Sequence, residues 1–204
     1  MDDTREIVRN IKKELRLYMN GVTSSQQRRL GMNYNIIFGV SIPHLKEIAA
    51  KFPKDATLAQ TLWKENIRES KLLGIYLLPE EMYSTVADTW IGECRYHENA
   101  DHLSHTILCN LPDAAIRALG WIAQDDALYK RCGYLTLAHV FRRGDALTEE
   151  QEERFFAHIA EILGNGTRHE EQAPAMSALD SYCYGDEERS ARLAAAHPGC
   201  AVLL

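Results

Sequence analysis

The chain has 204 residues, 46% of them hydrophobic and 25% charged, with a net charge of −6 at neutral pH. That is ordinary globular composition and enough chain to bury a core, which excludes a disordered or fibrous protein. No apolar run approaches the roughly 20 residues that span a bilayer, the opening DDTREIVRNIKKE lacks an apolar signal core, and the five cysteines form no CxxC pair, so a membrane span, secretion, a disulfide framework and a zinc knuckle are not expected and the chain reads as cytoplasmic.

The charge is unevenly spread. Residues 1–75 hold 13 Lys/Arg against 8 Asp/Glu, a balance of +5, while residues 76–204 hold 10 against 21, a balance of −11. A basic N-terminal part can follow phosphates while the whole chain stays acidic; solvated helix faces would give the same numbers.

In chain order, nearly every segment reads as helix. Thr4 to Met19 carries Ile7, Val8, Ile11 and Leu15 on one face, and Asn20-Gly21 stops it. Ser24 or Ser25 is expected to cap a second helix through about Met32. Asn33 to Val40, NYNIIFGV, is the one strand-like run; its length and Gly39 favour a buried connector. Ser41-Ile42-Pro43 starts a helix with proline in its first turn. Asp55 starts the next, and Asn66 to Leu78 follows until Pro79. Glu80 to about Arg95 gives one or two short helices, and Glu98 to Leu111 another, closed by Pro112. Asp113 caps DAAIRALGWIAQ, and Asp125 or Asp126 starts a long helix to Arg143. Thr148-Glu149-Glu150-Gln151 is a capping box for a helix to Leu163. After a turn at Gly164-Asn165-Gly166, His169 to Tyr184 and Asp186 to Ala196 complete the chain before Pro198-Gly199.

Proline and glycine boundaries fall near positions 43, 79, 112, 144 and 185, roughly 32–41 residues apart. Each block holds two helices, the period of paired-helix repeats such as HEAT, although the blocks do not visibly match in sequence. The expectation is a single all-α domain over 1–204, a helical-repeat solenoid with a concave binding face. A non-repeating helical bundle is the alternative.

Chemistry concentrates in Glu98 to Leu111. Ala100, Leu103, Ile107 and Leu111 share the core face, and Glu98, Asp101, His102 and His105 share a second face. Carboxylate and imidazole together suit divalent metals, but no second Glu/His cluster is placed to complete a bundle site, and plain i,i+4 charge pairing explains the face equally well. No metal or cofactor is therefore expected. Asp101 lies nearest the apolar stripe, where a carboxylate could activate water or stabilise a developing cation. Arg131 falls in the stripe of Leu128, Cys132, Leu135 and Ala138 and needs an acceptor, for which Asp101 and a nucleic-acid phosphate are both candidates. Trp63, Trp90 and Trp121 read as core. GxSxG and a Gly-rich phosphate loop are absent.

On these residues the chain resembles the AlkD-type DNA alkylation repair proteins, which are HEAT-like repeat DNA glycosylases. IIFGVSIPHLKEIAAKF (Ile36–Phe52) is similar to the family's GV-x-x-P-x-L-R-x-I-A signature. LWKENIRESKLLGIYLL (Leu62–Leu78) follows as the family's L-W-x-x-x-x-x-E-x-x-L helix does, and AAIRALGWIAQDDALYKRCGYLTL (Ala114–Leu137) continues the match in order. The resemblance covers roughly residues 5–185.

What it implies is the excision of cationic N3- and N7-alkylated purines from double-stranded DNA lying on the concave face. The family motif W-D-x-V-D corresponds to His97-Glu98-Asn99-Ala100-Asp101, which makes Asp101 the implied catalytic carboxylate, and Arg131 matches the family arginine of the next repeat. The motif's tryptophan is replaced by His97, and a second family tryptophan falls at Ala178, with Tyr182 and Tyr184 one turn further on. Aromatic faces hold a cationic base by up to ~2 kcal/mol when desolvated. Their replacement leaves two rivals open on the same fold: a non-catalytic nucleic-acid binder and a protein-interaction scaffold.

Overall fold

The computed structural model describes residues 2–164 and 169–196. The expected turn at Gly164-Asn165-Gly166 falls largely, and Pro198-Gly199 and Cys200 wholly, outside those residues. Among them there are twelve α-helices and no strand, only a lone parallel bridge between Ile36 and Ile67. No described helix is long and apolar enough to cross a membrane. Packing divides the chain into two compact units, Met1–Val86 and Ala87–Leu204.

The first unit contains α1 (Asp2–Leu17), α2 (Gly21–Arg29), α3 (Ile42–Ala49), α4 (Ala56–Lys64) and α5 (Arg68–Leu77). Val8, Ile11 and Leu15 of α1 are buried, as their spacing requires. Helix α2 starts earlier than expected. Asn20, read as a stop for α1, is its N-cap, and its side chain accepts from the backbone N–H of Val22 and Thr23. Ser24 instead donates to the carbonyl of Ile37.

The run Asn33–Val40 is a buried connector. Glu69, fully buried, accepts from the backbone N–H groups of Phe38, Gly39 and Val40 at 3.0, 2.9 and 3.3 Å. Arg68 donates to both Glu69 and the Val40 carbonyl. Gly39 has φ 75°, and a Cβ there would lie 2.2 Å from the Asn20 carbonyl oxygen, so only glycine fits. The two most family-like motifs, around Gly39-Val40 and Glu69, are thus two halves of one folding lock.

The second unit contains α7 (His97–Thr106), α8 (Ala114–Ile122), α9 (Ala127–Arg142), α10 (Glu149–Gly164), α11 (His169–Cys183) and α12 (Glu187–Ala196); α6 (Tyr83–Gly92) precedes them. Asp126 caps α9 through Leu128 and Tyr129. The capping box of α10 forms, Thr148 N–H donating to Gln151 and Gln151 N–H to the Thr148 hydroxyl. Asp113 sits at the N-cap of α8 without a side-chain bond.

A repeat hidden in the sequence surfaces in the packing. In the pair α4/α5, a Cβ on Gly74 would lie 2.9 Å from the Ala59 carbonyl and 3.1 Å from the Trp63 nitrogen. In the pair α8/α9, a Cβ on Gly133 would lie 2.7 Å from the Ala118 carbonyl and 3.0 Å from the Ile122 nitrogen. Ala59-Trp63-Gly74 and Ala118-Ile122-Gly133 keep the same spacing. In both pairs glycine lets the second helix press its backbone against the first. All three tryptophans are core residues.

Candidate functional site

Helix α7 is shorter than the expected Glu98–Leu111. It breaks at Ile107 into a single 3₁₀ turn, Leu108–Asn110, and no side-chain cap opens it at Tyr96. Its core face is as expected, with Ala100, Leu103, Ile107 and Leu111 all buried. Such burial contributes about 1.5–3 kcal/mol for each large aliphatic side chain and fixes which way the other face points.

Helix α9 lies beside α7 and runs in the same direction. Asp101 meets Arg131, His105 meets His139 further along both helices, and Asn110 meets Arg143 just past their ends. The stripe expected to be its core is partly wrong. Cys132 and Ala138 are buried, but Leu128 and Leu135 are only half-buried, as Arg131 is. The reason is that α9 packs against α7, α8 and α11 at once, so burial covers most of its circumference and leaves Leu128, Arg131, Leu135 and His139 as its accessible edge.

At that edge Arg131 forms a two-pronged pair with Asp101, Nε to Oδ1 at 2.5 Å and Nη2 to Oδ2 at 2.9 Å. The Arg131 side chain is 19% exposed and that of Asp101 41%. Of the two acceptors weighed for Arg131, the structure supplies Asp101. Below them small polar groups pin the helices together. Ser104 donates to the carbonyls of Ala100 and Cys132 at 2.7 and 3.4 Å, and the Cys132 thiol faces the Ala100 carbonyl. Burial pushes the Cys132 thiol up to about 12, so it stays protonated and inert.

One turn earlier, His97 is exposed at the start of α7, on the same flank as Asp101 by helix geometry. One turn later, His105 Nδ1 stands 3.2 Å from His139 Nε2, with ring centroids 4.6 Å apart. Burial, aided by His105, Arg142 and Arg143, pushes His139 down to about 4, so it is neutral at physiological pH. Asp101 and His105 therefore turn to different partners, and among the described residues no three His, Cys, Asp or Glu side chains converge as a metal set. His139 was missed by sequence reading, although its spacing from Arg131 and Leu135 along one edge of α9 was the available signal.

The C-terminal aromatic position is different in kind. Ala178 is fully buried, and Tyr182 packs against Phe141, Phe155 and Phe156 while its hydroxyl donates to Glu152 at 2.8 Å. Tyr182 is a core residue and offers no platform to a ligand. Tyr184 is 89% exposed.

A family profile described as "DNA alkylation repair enzyme" matches residues 11–173. Among solved structures, the chain is similar to one described as "a new family of proteins related to the HEAT-like repeat DNA glycosylases with affinity for branched DNA structures". The TM-score is 0.73 at 17% identity, over 85% of this chain and 74% of that one. At that identity the likeness shows a common HEAT-like helical-repeat fold. No curated protein matches.

Proposed function

The chain belongs to the DNA alkylation repair enzyme family, and from that membership we propose that it binds DNA and hydrolyses the N-glycosidic bond of N3- or N7-alkylated purines at the edge formed by Asp101 and Arg131. The observation that carries the reading is the forked pair itself. An arginine held by two bonds fixes the carboxylate plane, and the carboxylate still reaches solvent. A carboxylate accepts at about four lone-pair sites, and the fork takes one on each oxygen. The remaining sites are open to a hydrogen bond from a substrate or a water.

The chemistry asks little more. In an alkylated purine nucleotide the base already carries positive charge. When the bond from C1′ to the base nitrogen breaks, its electron pair returns to the base, which leaves neutral, so no general acid is required. Positive charge appears on the sugar. Asp101 stabilises it by Coulomb attraction and accepts a hydrogen bond from the water that adds to C1′, whose proton passes to the carboxylate or to solvent. Arg131 positions Asp101 and supplies a phosphate contact when DNA approaches. His97 lies on the flank where the family's aromatic would stand and, when neutral, offers its ring face to the base.

A second reading, a DNA-binding protein that excises nothing, has its own support. Ala178 and Tyr182 are both core residues, so neither supplies the second aromatic wall, and the structural neighbour is described by its affinity for branched DNA rather than by excision. The discriminating experiment is base release from methylated duplex DNA, read as free 3-methyladenine and 7-methylguanine. Release above the spontaneous rate supports the glycosylase. Duplex binding without release leaves the binder, and no binding at low salt removes both.

A further inference from the structure

We infer that the turn and helix Leu17–Arg29 form a docking surface for DNA at places where base stacking is interrupted. This rests on the DNA-binding reading above and adds where, and to which form of DNA, the chain binds.

Three observations meet in this segment. Helix α2 has no buried residue. Nine residues are too few to hold a helix by propensity alone, and no apolar face anchors it. It is tied down by hydrogen bonds: the Asn20 cap, Ser24 to the Ile37 carbonyl at 2.8 Å, and Arg28 Nη1 to the Tyr34 carbonyl at 3.0 Å. The outward side is left for something else.

The apolar residues that other helices would bury are instead displayed here. Of the seven exposed large hydrophobic residues among the described residues, five fall from Leu17 to Ile36, and Leu17, Met19 and Val22 are 75%, 62% and 81% exposed. These three fall within six consecutive residues, across the turn that joins α1 to α2. Single exposed apolar residues need no explanation, whereas a cluster does.

Charge selects the occupant. Between Glu14 and Glu47 there is no acidic residue, while Arg16, Arg29 and Lys46, together with Arg28 that is turned to the Tyr34 and Asn35 carbonyls, fall within that stretch of a chain whose net charge is −6. A cationic surface set with apolar side chains fits a polyanion that also exposes apolar faces. Stacked duplex offers only the first; DNA with unstacked bases offers both, because Leu, Met and Val side chains can wedge against a base step while flanking arginines hold phosphates. A bilayer surface is a poorer fit, since the sequence GVTSSQQRR carries one apolar residue and no stripe to lie in lipid.

The test uses the full chain and fluorescence anisotropy on a three-way junction and a linear duplex of equal length. The variants are Leu17→Ser/Met19→Ser/Val22→Ser and, separately, Arg16→Ser/Arg29→Ser. All five side chains are exposed, so melting temperatures should stay near wild type. The expected result is a junction preference of about tenfold that falls toward one in the triple variant with linear-duplex affinity unchanged, and weaker binding to both in the arginine variant. Equal wild-type affinity for junction and duplex, or a preference the triple variant retains, overturns this surface and leaves the DNA reading standing. Absence of binding to either DNA overturns the DNA reading as well. Binding to phosphatidylserine vesicles, or self-association, that is lost in the triple variant without a junction preference overturns it in favour of lipid or a second copy.

Discussion

Asp101 and Arg131 sit thirty positions apart in the chain and on different helices, and each had a residue-level reason to be singled out. Asp101 was acidic beside an apolar stripe, and Arg131 was a cation that needed an acceptor. Such a cation can pair with a carboxylate or a phosphate, and in the structure it pairs with Asp101. The neighbouring histidines were less legible. His105 stood out for its face of α7, but its partner His139 belongs to a helix whose buried surface the periodicity misassigned. That pair predicts a pH effect. Because burial pushes His139 down, the folded state binds fewer protons than the unfolded chain, whose histidine titrates near 6.5. The stability this neutral histidine permits is complete above pH 6.5 and is lost as pH falls from there to about 4. His158, also pushed down by burial, adds a slope of the same sign. The substitution His139→Gln should therefore flatten the fall of melting temperature between pH 6.5 and 4.5, measured by thermal denaturation. A slope identical to wild type would mean that His139 is not held neutral.

Helices with strong punctuation were readable from the chain, because capping boxes, prolines and caps such as Asp126 act locally. Elements set by long-range contacts were not. Helix α2 began at an unexpected residue because Asn20 serves both as the end of one helix and the cap of the next. The repeat was invisible because it is conserved as a geometry, a glycine pressed against a backbone, and only a few side chains have to match for that. Two substitutions test this level. Gly133→Ala would place a Cβ 2.5 Å from Ile122 Cγ2 and 2.7 Å from the Ala118 carbonyl, forcing α8 and α9 apart; overpacking of this kind costs about 1–3 kcal/mol, readable by denaturant unfolding. Gly120→Ala, where a Cβ meets nothing within 4 Å, is the control and should be neutral or better. Glu69→Gln attacks the lock. It leaves Arg68 buried without its charge partner and weakens the bonds to Phe38, Gly39 and Val40. Breaking a buried pair from one side costs about 3–5 kcal/mol. A loss below 1 kcal/mol in chemical denaturation would show that the connector does not depend on this carboxylate.

For the molecule as a whole, the family resemblance was legible because its most specific residues build the fold. The backbone of Gly39 and Val40 is bonded to Glu69, and a Cβ at Gly39 would clash with the Asn20 carbonyl. Function was less legible for the opposite reason. Of the positions that would grip a base, His97 lies exposed, where it can differ from the family without harm to packing, while Ala178 is buried in the core. Charge points the same way at this scale, since the acid-free stretch from Leu15 to Lys46 sits in an otherwise acidic chain. We propose the Asp101–Arg131 pair as a working site as well as a packing feature. Its most direct test is the single-turnover release of 7-methylguanine from methylated duplex DNA by wild type, Asp101→Asn and Arg131→Lys. Wild type should release the base, with a fall of at least about a hundredfold for Asp101→Asn, and a smaller fall for Arg131→Lys, which keeps the charge and loses the fork. Wild-type release at the spontaneous rate, or equal rates for wild type and Asp101→Asn, would contradict it.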